Sequence, residues 1–372
     1  QWVAGCDGSR SAVRELSGID FPGAPYEQVF FVADVQATGS MVADEINVFL
    51  WRSGFHLFFP MRGADHWRIV GILPKELRDR DGLALDDVVG SLRGEAGTNL
   101  SFSNCSWFST YRIHHRHAER FRQGRCFVLG DAAHVHSPVG AQGMNTGLQD
   151  AYNLAWKLSL VVKNKADQAL LDSYEAERLP IARRLLSTTD RGFQLVVSDH
   201  PLAGILRTKV LARIGALAMR FKSVQRLAFR TVSQTGLHYR SSALSATAAG
   251  LPAKAPQAGD RFPWLHLALH SGGAVEDSFR MLDDTHFHLL LFGQSVPQGA
   301  TAFGDLLRIH HVPQTPDNTA EMKRHGIPGR SFYLLRPDGH VGLCGKDLSL
   351  ARLEKYTREN LGFMRNGTRR AN

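Results

Sequence analysis

Cysteine is scarce in this 372-residue chain, and no C-x-x-C pair occurs in it. Cys6, Cys105, Cys126 and Cys344 stand far apart, which argues against a disulfide scaffold and against a zinc ribbon. The same usage predicts a reducing, cytoplasmic setting. No apolar run approaches the roughly 18 residues that a membrane helix needs, so no membrane span is expected. Acidic residues are also in deficit: 35 Asp and Glu face 44 Lys and Arg, a net charge of +9. The densest basic patches, 112–125 and 207–230, lack the interleaved aromatics of a nucleic-acid surface. Nucleic acid is therefore not an expected partner, and anionic cofactors with a solvated surface account better for the charge. A further absence is G-x-G-x-x-G, the phosphate-binding fingerprint of a βαβ unit. What is present, 43% hydrophobic and 21% charged residues, is the composition of a globular chain of two or three domains.

The pattern changes character along the chain. Residues 26–37, 46–51, 55–61 and 67–73 are rich in Val, Ile, Phe and Trp and bounded by turn residues, which predicts an antiparallel meander. A helix is expected near 84–100 and another strand at 107–115. From Asn145 the period becomes helical: Leu148, Ala151, Ala155, Leu158 and Val162 recur at three- and four-residue spacing, which predicts one face of an amphipathic helix. A second helix runs from Gln168 toward Val197, with Pro180 expected to kink or break it. Residues 202–233 are helical and basic in character, and 241–256, rich in Ser, Ala, Gly and Pro, read as a linker. Beyond it, apolar runs at 287–292 and 306–312, a hairpin of 331–335 and 340–343 around Asp338-Gly339, and a helix at 348–361 predict a small α/β domain.

The stretch richest in chemistry is 124–145. An apolar strand, 126–129, ends at Gly130-Asp131, a loop with Pro138, Gly140, Ala141 and Gln142 follows, and a helix opens near Gly143, Met144 and Asn145. Such a strand–loop–helix unit offers a carboxylate to ligand hydroxyls and free backbone N–H groups to an anionic or electron-rich atom. A bare Gly-Asp turn is more often a loop cap; the full pattern is more specific. It resembles the second flavin-binding motif of the para-hydroxybenzoate hydroxylase-like flavoprotein monooxygenases: Gly-Asp-Ala-Ala-His, Pro, Gly-x-x-Gly-x-Asn, then Asp150-Ala151 and Trp156-Lys157-Leu158. The resemblance implies that Asp131 binds the ribityl chain of FAD, that Pro138 lies beside the flavin ring, and that N–H groups from Gly140 to Asn145 meet its N1–C2 carbonyl edge. Near the front, Asp7-Gly8, Ser9 and Arg14 resemble that family's Asp-Gly motif, which implies contacts of Asp7, Gly8 and Arg14 near the FAD pyrophosphate and NAD(P)H. Residues 171–180 resemble the helix after the flavin site, and the C-terminal unit resembles the thioredoxin-like appendage of the phenol and polyketide hydroxylase branch. With Cys344 alone in that unit, its expected role is structural.

The fold class expected is α/β and α+β. Portions of an FAD-binding domain fall at 1–20 and 115–200, with a mixed β-sheet substrate domain at 21–114. A helical segment and linker occupy 201–250, and a thioredoxin-like domain 251–372. The resemblance begins well inside the family's chain, so the N-terminal part of the flavin domain is expected to be absent, and with it this chain is expected to bind FAD weakly or not at all. The activity implied is FAD-dependent, NAD(P)H- and O2-using hydroxylation of a phenolic or polyketide ring through a flavin C4a-hydroperoxide. A truncated, inactive flavoprotein fragment and epoxidase or Baeyer–Villiger chemistry are the alternatives. A halogenase is disfavoured because Trp-x-Trp-x-Ile is missing. Phe58, Phe59 and Pro60 are candidate substrate contacts, suited to a planar apolar ring, with plain sheet core as the competing reading. The histidines at 114, 115, 117, 134 and 136 lack an accompanying ligand set, so no metal is expected, and no catalytic side chain stands out. The expected partners are a small aromatic substrate and O2, and a homodimer is an assembly open to the chain.

Overall fold

A computed structural model describes residues 1–51, 54–96, 99–136, 142–197, 204, 208, 212–269, 272–299 and 304–363. The chain opens with strand β1 (Val3–Gly5) and helix α1 (Ala12–Leu16), followed by β2 (Gly23–Thr38), β3 (Asn47–Trp51), β4 (Gly54–Pro60) and β5 (His66–Ile72). Helix α2 (Leu85–Ala96) precedes β6 (Ser101–His117), β7 (Arg122–Gln123), β8 (Cys126–Val128) and β9 (His134–Val135). Two sheets arise from these interleaved strands. One has the order β1-β8-β7, with β1 and β8 parallel; the other, six-stranded, has the order β3-β4-β5-β2-β6-β9 and pairs antiparallel. The predicted meander is thus present, with boundaries within a few residues except at the two long strands.

The six-stranded sheet is apolar on both faces, which is why β2 reads as a nearly continuous run and not as an alternation. Phe31, Ala33, Val35, Phe58, Trp67 and Ile69 pack under α2 with Leu85, Val88 and Leu92. Tyr26, Phe30, Phe55, Ile72 and Ile113 form a second cluster on the other face.

Two departures from the expected pattern appear in the helical half. Helix α3 (Gly143–Val162) buries Thr146, Asp150, Asn153, Leu154, Trp156, Lys157, Leu160 and Val161. That apolar face is instead largely turned outward: Leu148 is 61% and Val162 59% exposed, Ala151 and Ala155 are exposed too, and Leu158 alone of the five packs part-buried against the core. The spacing rule equates polar with solvated, and it fails here because the buried Asp, Asn and Lys are satisfied by one another and by α4 (Asp172–Val197). α4 also runs unbroken through Pro180, which removes one hydrogen bond, to the Ala176 carbonyl, without ending the helix. Beyond it lie α5 (Ala212–Ala218) and α6 (Lys222–Val232).

The segment read as a linker is not free chain. It contributes β10 (Ala246–Thr247), which pairs with a C-terminal strand, and it buries Leu244 and Ala255. The remainder comprises β11 (His266–Leu267), β12 (Glu276–Asp277), α7 (Ser278–Met281), β13 (Phe287–Phe292), β14 (Leu307–Val312), α8 (Pro316–Arg324), β15 (Ser331–Leu335), β16 (Val341–Gly345) and α9 (Leu350–Glu359). Their sheet has the order β10-β16-β15-β13-β14, with β13 and β14 parallel and β13, β15 and β16 successively antiparallel. The hairpin closes at Gly339, whose φ of +74° suits glycine. A single apolar core is continuous from α3 and α4 into this sheet, with Trp156 edge-on to Phe287 at 5.5 Å.

Candidate functional site

Two loops leave the carboxyl ends of the parallel neighbours β1 and β8, the edge of a parallel sheet at which ligands characteristically bind. The first carries Asp7 and Gly8, the second Gly130 and Asp131, and both carboxylates are exposed. Asp7 accepts from the Val13 backbone N–H at 3.2 Å, and the Ser11 hydroxyl holds its carboxyl below the usual range. Gly8 has a φ of +82°, a left-handed turn that glycine makes without strain. Arg14 fastens the two loops together. Its guanidinium donates to the carbonyls of Ser9 and Ala132, both at 3.0 Å, and lies 3.9 Å from the Phe21 ring centre. Arg14 is buried, so its forked donors are spent on backbone carbonyls.

Helix α3 brings its N-terminus to the same edge. Gly147 makes this possible, because a Cβ there would lie 3.1 Å from the Gly130 Cα. The N–H groups of Gly143, Met144 and Asn145 have no acceptor within the helix, and Gln142, at the N-cap, supplies no side-chain cap. Three outward donors at the positive end of a 20-residue helix suit an electron-rich ligand edge. The side chains do other work: the Thr146 hydroxyl donates to the Gln142 main-chain carbonyl, Asn145 donates to the Val232 carbonyl at 3.3 Å, and Met144 is exposed. Pro138, Gly140 and Ala141 lie outside the described residues.

Sequence reasoning missed what holds this edge in place. Asp150, fully buried on α3, accepts from the Gly130 N–H at 3.1 Å, His134 Nε2 at 2.7 Å and Arg178 Nε at 2.7 Å. Burial alone would raise its pKa, but Arg178 and His134 hold the carboxyl below its ordinary value. On α4, Glu175 accepts from the Phe121 and Arg122 N–H groups, and the Tyr174 hydroxyl donates to the Val128 carbonyl. The pattern at 171–180 was visible in the sequence; its inward direction was not.

The three candidate substrate contacts divide. Register places Phe58 with Ile69 and Ala33 under α2, where it is fully buried, while Phe59 belongs to the opposite face and Pro60 is exposed at the strand end. That opposite face is tiered: Phe55, Ile72, Phe30 and Tyr111, then Leu57, Val70, Val32 and Ser109, then Phe59, Arg68, Asp34 and Trp107. Arg68 and Asp34 pair bidentately at 2.8 Å, and hydrogen bonds from Arg68 hold the Asp34 carboxyl below its usual pKa. α4 packs against β4 and β6, two strands of this sheet. A groove of about 530 Å3 between α2 and β6, lined by Val89, Arg93, Phe102, Cys105 and Trp107 among others, shares only Trp107 with the tiers. Among the described residues no three His, Cys, Asp or Glu side chains converge as metal ligands would.

Comparison with known proteins bears on the same residues. The FAD binding domain family matches residues 1–189. The chain is 34% identical over 364 residues to 6-methylpretetramide 4-monooxygenase of Streptomyces rimosus, covering 93% of this chain and 64% of that protein. It is 33% identical over 360 residues to rifampicin monooxygenase of Streptomyces venezuelae, covering 93% and 66%. The chain thus spans just under two thirds of the length of these curated relatives. Among solved structures, CabE, an aromatic hydroxylase from angucycline biosynthesis, aligns with a TM-score of 0.73 at 26% identity over 98% of this chain and 70% of its own. OxyS, the anhydrotetracycline hydroxylase from Streptomyces rimosus, aligns with a TM-score of 0.70 at 27% identity over 97% and 69%.

Proposed function

The chain belongs to the FAD binding domain family, and from that premise we propose that it is the flavin- and substrate-binding part of an FAD-dependent monooxygenase that hydroxylates a phenolic or polyketide aromatic ring. One observation carries this reading: an exposed strand-end carboxylate, Asp131, and an uncapped 20-residue helix share one edge of the β1–β8 sheet. That donor set fits FAD, whose ribityl hydroxyls need an acceptor and whose ring edge gains negative charge on reduction. When bound, FAD supplies electron transfer from NAD(P)H and activation of O2 for insertion of one oxygen atom into the ring.

The chain's own residues bind and orient. Asp131 accepts from hydroxyls of the ribityl chain, and the N–H groups of Gly143, Met144 and Asn145 face the electron-rich ring edge. Arg14 and Asp150 keep the two loops in register. The tiered sheet face, with Leu57, Phe59, Val70 and Val32, offers a flat apolar wall to a planar substrate and excludes water from it. The monooxygenase and hydroxylase names of the relatives support this substrate class.

The C-terminal unit is read as thioredoxin-like: a parallel β13–β14 pair followed by the antiparallel β15–β16 hairpin and a closing helix supports that topology. Its one cysteine, Cys344, is buried, and burial pushes the thiol up to about 11, which supports a structural and not a redox role.

The test is NAD(P)H oxidation by the FAD-loaded protein, with and without phenols and anthraquinone-type polyketides. Substrate-stimulated oxidation with a hydroxylated product is expected, and its loss in Asp131→Ala together with loss of flavin. Absence of stimulation by every aromatic tried, in protein that holds FAD, would overturn the hydroxylase reading.

A further inference from the structure

The C-terminal hairpin enters a buried ionic network that ends at the Gly130 turn. Arg336 donates to Glu177 of α4 from both terminal nitrogens, at 2.6 and 3.0 Å, and to Asp338 from Nε at 3.0 Å. Asp338 also accepts from Trp156 Nε1 at 3.0 Å, and Glu177 from Lys157, Asn153 and Ser242. Tyr239 is the hinge between this cluster and the next. Its ring lies 5.2 Å from the Arg336 guanidinium and 4.4 Å from the His340 ring, and its hydroxyl accepts from Arg178 at 2.9 Å. Arg178 in turn donates to Asp150 and to the Thr146 carbonyl, and Asp150 holds the Gly130 N–H and His134.

Three cations, Lys157, Arg178 and Arg336, therefore face three carboxylates, Asp150, Glu177 and Asp338, all nearly without solvent exposure. If the hairpin served only to attach one unit to another, apolar contacts of the kind already present between Trp156 and Phe287 would suffice. Buried charge is costly unless each group is paired, and paired charge has a directional geometry that apolar packing lacks. Glu177 and Arg178 are consecutive on α4, so fixing one against Arg336 sets the angle at which the other meets Asp150.

We propose that Arg336 and Asp338 of the C-terminal unit, acting through Tyr239 and the Glu177-Arg178 pair, are positioning residues for the turn that carries Gly130 and Asp131. The flavin site is thus oriented from outside the flavin-binding segment, by a hairpin some two hundred residues downstream. The inference rests on the flavin reading for its functional consequence, but the positional claim concerns the protein alone.

The experiment uses the full chain, with Tyr239→Phe, Arg336→Met and Arg336→Lys variants, and reads amide hydrogen exchange by mass spectrometry together with thermal midpoints. Tyr239→Phe keeps the ring and removes only the hydroxyl that Arg178 uses. It is expected to speed exchange in 129–136 by about tenfold, the effect of losing one buried hydrogen bond to a charged group, while exchange in β13 and β15 stays unchanged. Arg336→Met is expected to do the same with a lower midpoint, and Arg336→Lys to restore part of the protection. In protein loaded with FAD, the same variants should shift the visible flavin spectrum and raise the FAD dissociation constant by about tenfold. Unchanged exchange in 129–136 in folded Tyr239→Phe and Arg336→Met proteins, or a rise spread evenly over both sheets, would overturn the proposal. Should the wild-type chain bind no FAD, the flavin reading would suffer while the exchange result still decides the positional claim.

Discussion

At the scale of single residues, adjacent positions on one strand carry opposite expectations. Phe58 fills the core under α2 against Phe49 and Trp67, so Phe58→Ala should cost about 3–5 kcal/mol in chemical denaturation. Phe59, half-exposed on the tiered face, should tolerate Ala with a loss below about 1.5 kcal/mol, while the KM for an aromatic substrate rises about tenfold. Equal destabilisation by both changes would remove Phe59 from the substrate wall. The choice between them was not legible in the sequence, because β2 and β4 are apolar on both faces and only the register against β5 assigns sides. Cysteines offer a second check. Cys6 and Cys105 are exposed and Cys344 is buried with its thiol raised, so a thiol reagent at pH 8 should label the first two in native protein and reach Cys344 only on unfolding. Rapid native labelling of Cys344 would contradict the packing of β16.

At the scale of elements, α3 holds the argument together. Its start was readable from the Gly-Asp pattern and the change of period, and its inward face was not, since the residues it buries are those that composition assigns to solvent. Gly147 is the element's close-approach point. Gly147→Val should push the helix away from Gly130 and weaken FAD binding at least about tenfold in equilibrium titration, with far-UV circular dichroism unchanged. Wild-type affinity in that variant would show that the approach of α3 to the turn is not needed. Pro180 teaches the same lesson in reverse: one missing hydrogen bond is a local cost, and burial of Leu179, Ala182, Leu185 and Leu186 on either side sustains the helix.

At the scale of the whole molecule, the buried network predicts acid sensitivity. Burial opposes ionisation of Asp150, Glu177 and Asp338, but the facing Arg and Lys groups prevail and hold all three carboxyls below their ordinary values of 3.8 to 4.5. The unfolded chain then binds protons below about pH 4.5 that the native protein refuses, so the stability these pairs contribute is full above that range and falls as pH drops. Thermal midpoints should fall gently from about pH 6.5, where His288, His310 and His340, held below their ordinary pKa by burial, charge only in the unfolded chain, and decline more steeply below about 4.5; a midpoint unchanged down to pH 3 would contradict the pairing. The positive charge also has an address. Residues 200–259 contain nine Lys and Arg and no Asp or Glu, so that segment matches the +9 excess while the remainder of the chain balances in sum.

By itself the sequence determined what short-range chemistry determines: the strand-rich middle, the Gly-Asp turn with its following helix, the Asp338-Gly339 hairpin and the family resemblance. Turn residues, β-branched runs and helical spacing act over a few positions and need no partner to be read. Tertiary structure decided which faces are inside, that Arg14 reaches a loop 118 positions away, and that a C-terminal hairpin shares ion pairs with α4. Those outcomes depend on partners distant in sequence. A buried charge is acceptable only where another completes it, and nothing local in the chain tells where that other will lie.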